Sequence, residues 1–217
     1  MIGVDGWKSG WVAVVLEDGR FADAASASDL PSLLERYPSA VAVAIDMPIG
    51  FPTTEPRRAD VAARSFVGPR RSSVFSMLPK QVYETASYAA ASVVCKKLWG
   101  KGLTQQSYAL KQKIFEVEAV AATEEPVFEC HPEVSFAAMA GAPLDWSKKT
   151  WNGQLLRRRL LAAGGIIVPD DLGEAGVAPV DDILDAAACA WSAERARLGS
   201  SRTLPEDPAP GEPTIRF

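Results

Sequence analysis

The sequence predicts an α/β protein with a mixed five-stranded sheet. Strands 1, 2 and 3 form an antiparallel meander, strands 4 and 5 run parallel, helices flank the sheet, and a helical insertion follows strand 4. Three observations predict it. Apolar segments near the start are joined by turn residues, as a meander requires. Two of these segments, MIGVD at 1–5 and VAVAID at 41–46, deliver a carboxylate at the end of an apolar run and are separated by an amphipathic helix. After residue 51 no convincing strand occurs before Pro126, although helical periodicity continues.

In order, Ile2, Gly3 and Val4 read as a buried strand ending at Asp5. GWVAVVLE at 10–17 reads as a central strand, and Asp18-Gly19 is a two-residue hairpin signal. Arg20 to Ala25 completes the meander. Ser28 is the expected N-cap of a helix over 29–37, with Leu30, Leu33, Leu34 and Tyr37 on one face. Residues 41–46 form strand 4, reached by a right-handed crossover. The helical block, about 52–125, holds helices over 80–98 and from Thr104 through Val120. It is too long for an ordinary connection, and so reads as an insertion. PVFEC at 126–130 is strand 5, followed by a short helix over 133–140. A helix with Leu155, Leu156, Leu160 and Leu161 carries Arg157, Arg158 and Arg159. The longest helix is DDILDAAACAWSAERARL at 181–198, and the tail 199–217 reads as surface loop with a last strand at 214–217.

The bulk composition sets limits. With 217 residues and 47% apolar content, the chain supports a single domain, 1–217, with a full core. A net charge of −4 excludes a surface coated in positive charge for non-specific nucleic-acid binding, but leaves room for a local basic patch. Cys95, Cys130 and Cys189 have no disulfide or zinc spacing and read as buried thiols in a reducing compartment. No basic-then-apolar start and no run near the ~20 residues needed to span a bilayer occur, so the reading is cytoplasmic with no membrane partner.

The carboxylates point to chemistry. Alone, Asp5 or Asp46 is explained as a cap on a strand-to-loop turn. Two in like settings on neighbouring strands would repel unless a proton or cation lay between them, and Mg²⁺, which prefers oxygen ligands, would turn repulsion into coordination. Asp182 and Asp185 share a face of the last long helix. Asp181 and Asp182 complement the helix dipole, whereas Asp185, a turn further in and followed by Ala186, Ala187 and Ala188, is not explained that way. Ala186 and Cys189 are small enough for a strand to approach closely.

This order of elements resembles the ribonuclease H-like fold. More closely, GVDGWKSGW at 3–11, IDMPIGFP at 45–52, RRADVAARSFVGPRRSSVF at 57–75, ECHPEVSF at 129–136, SKKTWNGQLLRRRLL at 147–161 and DDILDAAACAW at 181–191 resemble the DUF429 family, predicted RNase H-like nucleases. The resemblance implies a metal-dependent hydrolase that cleaves phosphodiester bonds of a nucleic acid or nucleotide-like substrate. Asp5 would bridge two Mg²⁺ or Mn²⁺ ions, with Asp46 and Asp185, or Asp182, holding one each. Glu129 would be an extra ligand or orient a water, and His131 would assist proton transfer or be structural. Arg57, Arg58, Arg64, Arg70 and Arg71, with Lys148 and Lys149, would clamp substrate phosphates or line a solvated helix face. Lys8 lies in the turn beside Asp5. Glu35, on the first helix, is not assigned. The insertion implies a narrowed site and a smaller or structured substrate. Six tryptophans and the alanine-rich stretch 80–94 offer a homodimer surface. The same core occurs in phosphotransferases and ATPases of the actin and sugar-kinase type, which need a second such domain, and in inactive binding modules.

Overall fold

The computed structural model describes residues 1–123 and 127–217. Its main sheet holds β1 (Ile2–Trp7), β2 (Gly10–Glu17), β3 (Arg20–Ala27), β4 (Val43–Ile45) and β5 (Val127–Glu129), in the order β3-β2-β1-β4-β5. β1, β2 and β3 pair antiparallel, whereas β4 runs parallel to β1 and β5 parallel to β4. The expected mixed sheet is therefore present. The β2–β3 hairpin turns on Asp18 and Gly19, with φ of 48° and 74°, the left-handed pair that matches strand twist.

Strand limits differ from the sequence reading in informative ways. Asp5 lies inside β1, opposite Val12, because the antiparallel ladder to β2 continues to Trp7. The parallel ladder to β4 stops at Val4 opposite Ile45, so Asp5 lies just past the last β1–β4 pair. β4 is shorter than 41–46, and Val41 is exposed. The expected start of strand 5 at Pro126, like Glu125 at the end of the insertion, lies outside the described residues.

Helices cover both faces of the sheet. On one side, α1 (Leu30–Leu34) packs with α3 (Lys80–Tyr83), α4 (Tyr88–Trp99) and α6 (Lys111–Ala121) against Ile2, Val4, Trp11, Ala13, Val43 and Ile45. On the other, α8 (Trp151–Ala163) and α9 (Val180–Arg197) pack against Val12, Val14 and Leu16. β2 is buried through Leu16 because both layers cover it. Asp29, not Ser28, caps α1, its Oδ1 accepting the Ser32 N–H at 2.9 Å, and Ser28 Oγ donates to Asp29 instead. The helix expected over 80–98 is two helices, since the chain turns at 84–87 and Ser87 caps α4. Thr104 caps α5 (Gln105–Ala109), and Leu110 separates it from α6.

The tail is not surface loop. β6 (Thr203–Leu204) pairs with β7 (Ile215–Arg216). Leu204, Ile215 and Phe217 form a third core with Ala59, Ala63 and Val67, which places the tail against α2 (Arg58–Phe66), while Val134 brings in α7 (Pro132–Ala140). The strand expected at 214–217 is present as β7, but its partner β6 and the packing of the tail on α2 were not read, because Pro and Gly mask the short apolar pairs that anchor it.

A close approach of strand to helix positions the site. A Cβ on Gly3 would lie 1.9 Å from the backbone N of Ala190 and 2.1 Å from the carbonyl of Ala186. The small residues of α9 thus let it lie directly on β1. Side chains alternate along a strand, so Gly3 and Asp5 face α9 while Ile2 and Val4 face the other core.

Candidate metal centre

Asp5, on the α9 face of β1, meets Asp46, the first residue after β4, and Asp185, the residue just before Ala186 at the contact with Gly3. The Asp46 N–H donates to the Val4 carbonyl at 2.8 Å, which aligns the two strand ends. One carboxylate oxygen from each of Asp5, Asp46 and Asp185 lies within 4.8 Å of the others. Asp185, rather than Asp182, completes this group. Asp182 stands at the rim, its Oδ1 4.0 Å from Lys148 Nζ.

Burial disfavours the charged forms of the cluster. Burial, followed by the charges of Asp46 and Asp185, holds the Asp5 carboxyl well above the ordinary range. Burial raises Asp46 too, against the pull of His131 and Lys148. Asp185 is pushed up to about 7, by burial first, with Lys148 opposing. Burial, then Asp181, raises Asp182. A carboxylate group so disfavoured as anions calls for a cation. The donor set is all oxygen, which suits Mg²⁺ or Mn²⁺. Asp185 Oδ1 is buried without a hydrogen-bond partner, and Asp5 Oδ1 is fixed by the Gly6 N–H at 2.6 Å. On these grounds the residues fit a divalent ion.

One cation is built in. Lys148 donates to Asp185 and lies 3.6 Å from Asp181 Oδ2. Burial works against its ammonium, but Asp185, Asp5 and Asp46 outweigh burial and raise its pKa. Lys149 pairs with Asp181 at 2.5 Å, and burial of Asp181 is outweighed by the two lysines, which lower its pKa. The lysine loop is held firmly. Thr150 Oγ1 donates to the Ser147 carbonyl at 2.8 Å and accepts the Gly153 N–H at 3.1 Å. A Cβ at Gly153 would lie 1.9 Å from that carbonyl, so the loop sits directly on the first turn of α8.

Of the other expected site residues, Arg64, Glu129 and His131 line the same cleft as the acids, while most of the arginines are engaged in structural contacts. Glu129 receives Arg57 Nη1 on Oε2 at 2.7 Å and Nη2 on Oε1 at 2.8 Å, and Oε2 also accepts the Ile49 N–H at 2.8 Å. With both oxygens engaged, Glu129 anchors the loop after Asp46 rather than serving as a free ligand. Arg57, 5% exposed, also pairs with Asp60 and donates to the Ile49 carbonyl, and so is no phosphate clamp. Arg58 pairs with Asp207 and Glu212 in the tail, and Arg70 donates to the carbonyls of Leu144 and Asp145. Arg71 and Lys8 are exposed. Arg64 donates to the Val74 carbonyl and lines the cleft, as does Lys148. The basic residues therefore do not form one patch. His131 precedes α7, its Nε2 3.4 Å from the Ser73 carbonyl.

Sequence reading missed a buried pair. Arg157, fully buried, donates to Glu133 Oε2 at 2.6 Å and to the carbonyls of Trp146 and Gly153. The RRR run made it look like its exposed neighbours Arg158 and Arg159. The available signal was its spacing, four residues before Leu161, on the buried face.

The fold and the acids define an α/β protein with an acidic cluster where two parallel strands end beneath a helix. The chain belongs to DUF429, a family of proteins of unknown function, whose profile matches residues 3–210. No curated protein and no solved structure matches it significantly. Among the described residues, no helix is long and apolar enough to cross a membrane.

Proposed function

We propose that the protein is a metal-dependent nuclease of the ribonuclease H-like type, hydrolysing phosphodiester bonds by a two-metal-ion mechanism with Mg²⁺ or Mn²⁺. The observation that carries this reading is the meeting of Asp5, Asp46 and Asp185 within 4.8 Å from three separate parts of the chain. The sheet order, and acids on β1, after β4 and on the last long helix, support it as well. Asp5, Asp46 and Asp185 hold the metal, with Asp182 available at the rim. Bound divalent ions supply an activated water and neutralise charge on the phosphoryl oxygens. Lys148 adds positive charge beside the phosphate. His131, on the cleft wall, moves a proton to the leaving oxygen. Arg57 and Glu129 keep the Asp46 loop in place.

Calorimetry with Mn²⁺ and cleavage assays on DNA and RNA test this directly. Asp46→Asn is expected to lower cleavage by roughly a hundredfold or more, as loss of transition-state charge stabilisation does. Cleavage that survives this variant, or a chelator, would overturn the reading. Self-association through α4, where Val93 and Leu98 are exposed, is read by light scattering.

A further inference from the structure

The acids form the floor of a cavity of about 930 Å³. The insertion lines the same cavity through Arg64, Phe75, Trp99, Leu103 and Leu110. Among the described residues, four that line the cavity carry a buried polar atom with no partner: Asp185 Oδ1, Glu133 Oε1, His131 Nδ1 and Trp99 Nε1. The two carboxylate oxygens suit a cation. Among the described residues the Trp99 indole N–H, also buried, has no acceptor. The lining thus combines metal-suited carboxylates with the aromatic side chains of Trp99 and Phe75.

We infer that this cleft takes one or two nucleotide units of a single-stranded or nucleotide-like phosphodiester, with a base against Trp99 and Phe75 and the phosphate over the acids, and that it rejects duplexes. The inference rests on the hydrolase reading and adds the substrate class. Pockets of 300–1,000 Å³, in round terms, enclose small molecules, and this cavity falls in that range. A duplex keeps its bases paired and stacked inside the helix, and bringing one against Trp99 and Phe75 costs about a few kcal/mol of unpairing and unstacking. A single strand can be splayed and its bases stacked on aromatic faces.

The test uses the full chain, titrated calorimetrically in Ca²⁺ with a 5′-phosphorylated dinucleotide and with a blunt duplex, then assayed for cleavage of both in Mn²⁺. The dinucleotide should bind and be cut, and the duplex should do neither. Trp99→Ala should weaken dinucleotide binding about tenfold, the loss of one base stack, and Trp99→Phe should restore most of it. Thermal melts and Mn²⁺ affinity separate this from misfolding. Duplex bound and cut as well as dinucleotide would overturn the substrate class and leave the hydrolase standing. Dinucleotide bound through Trp99 but never cut would sink the hydrolase and keep the binding site. No dinucleotide binding would overturn the inference.

Discussion

Lys148 donates to Asp185 at the centre of the acidic cluster, so the chain carries its own counter-cation among the proposed metal ligands. A lysine there competes with a divalent ion for the same oxygens. At an effective dielectric typical of protein surfaces, a unit charge a few ångström away is worth about 1–4 kcal/mol. Lys148→Met keeps the stem and removes the charge. Mn²⁺ should then bind tighter, by about tenfold or more, while cleavage falls because the substrate phosphate loses a positive neighbour. Calorimetry and steady-state assays read the two effects separately. Weaker Mn²⁺ binding in the variant would show that Lys148 assists the ion rather than opposing it.

The raised Asp185 carboxyl gives stability a definite pH dependence. Its ordinary value is 3.8 and its folded value about 7, so between these the folded protein holds the extra proton. Stability from this group is fully present below the lower value and is lost as pH rises through the upper one. In chelator, the melting temperature should therefore fall from about pH 5 to about pH 8. Asp185→Asn should flatten that fall, and Mn²⁺ should raise the melting temperature most at the alkaline end. Calorimetric melts across pH, with and without metal, check all three.

The strand-end acids could be read early because an apolar strand that delivers Asp at its end is a local pattern. The hairpin and the acidic helix were legible for the same reason. Arg57 and Arg157 were not. Both sit in arginine runs whose other members face solvent or the surface, and sequence does not say which arginine turns inward. Their partners, Glu129 and Glu133, lie 72 and 24 residues away. Pairing at such distance is a property of the packed fold. In the tail only the last strand was legible; its pairing with β6 was hidden similarly, since two-residue strands leave no periodicity to read.

Arg57 should matter through structure. It holds Asp60 and Glu129 together in a site where burial alone would raise Glu129. Arg57→Met strands two buried carboxylates, and breaking such a pair costs about 3–5 kcal/mol. Arg71→Ala, at an exposed position, should change stability by less than about 0.5 kcal/mol. Urea titration of both variants decides it. Equal effects would mean that the buried network contributes nothing special.

Gly3 is where the site's geometry is most exposed to a small change. Adding one methyl places it against the α9 backbone at Ala186 and Ala190, where no side chain can rotate away. Either β1 or α9 must shift, and overpacking of this kind costs about 1–3 kcal/mol, at times more. The shift matters beyond stability, because Asp5 and Asp185 sit on those same two elements within 4.8 Å of each other and of Asp46. Gly3→Ala should therefore lower both the urea midpoint and Mn²⁺ affinity. Gly199→Ala, in a left-handed turn with nothing within 4 Å of its Cβ, should lower stability alone. A Gly3→Ala protein that melts early yet binds Mn²⁺ normally would show that the acids tolerate movement between β1 and α9.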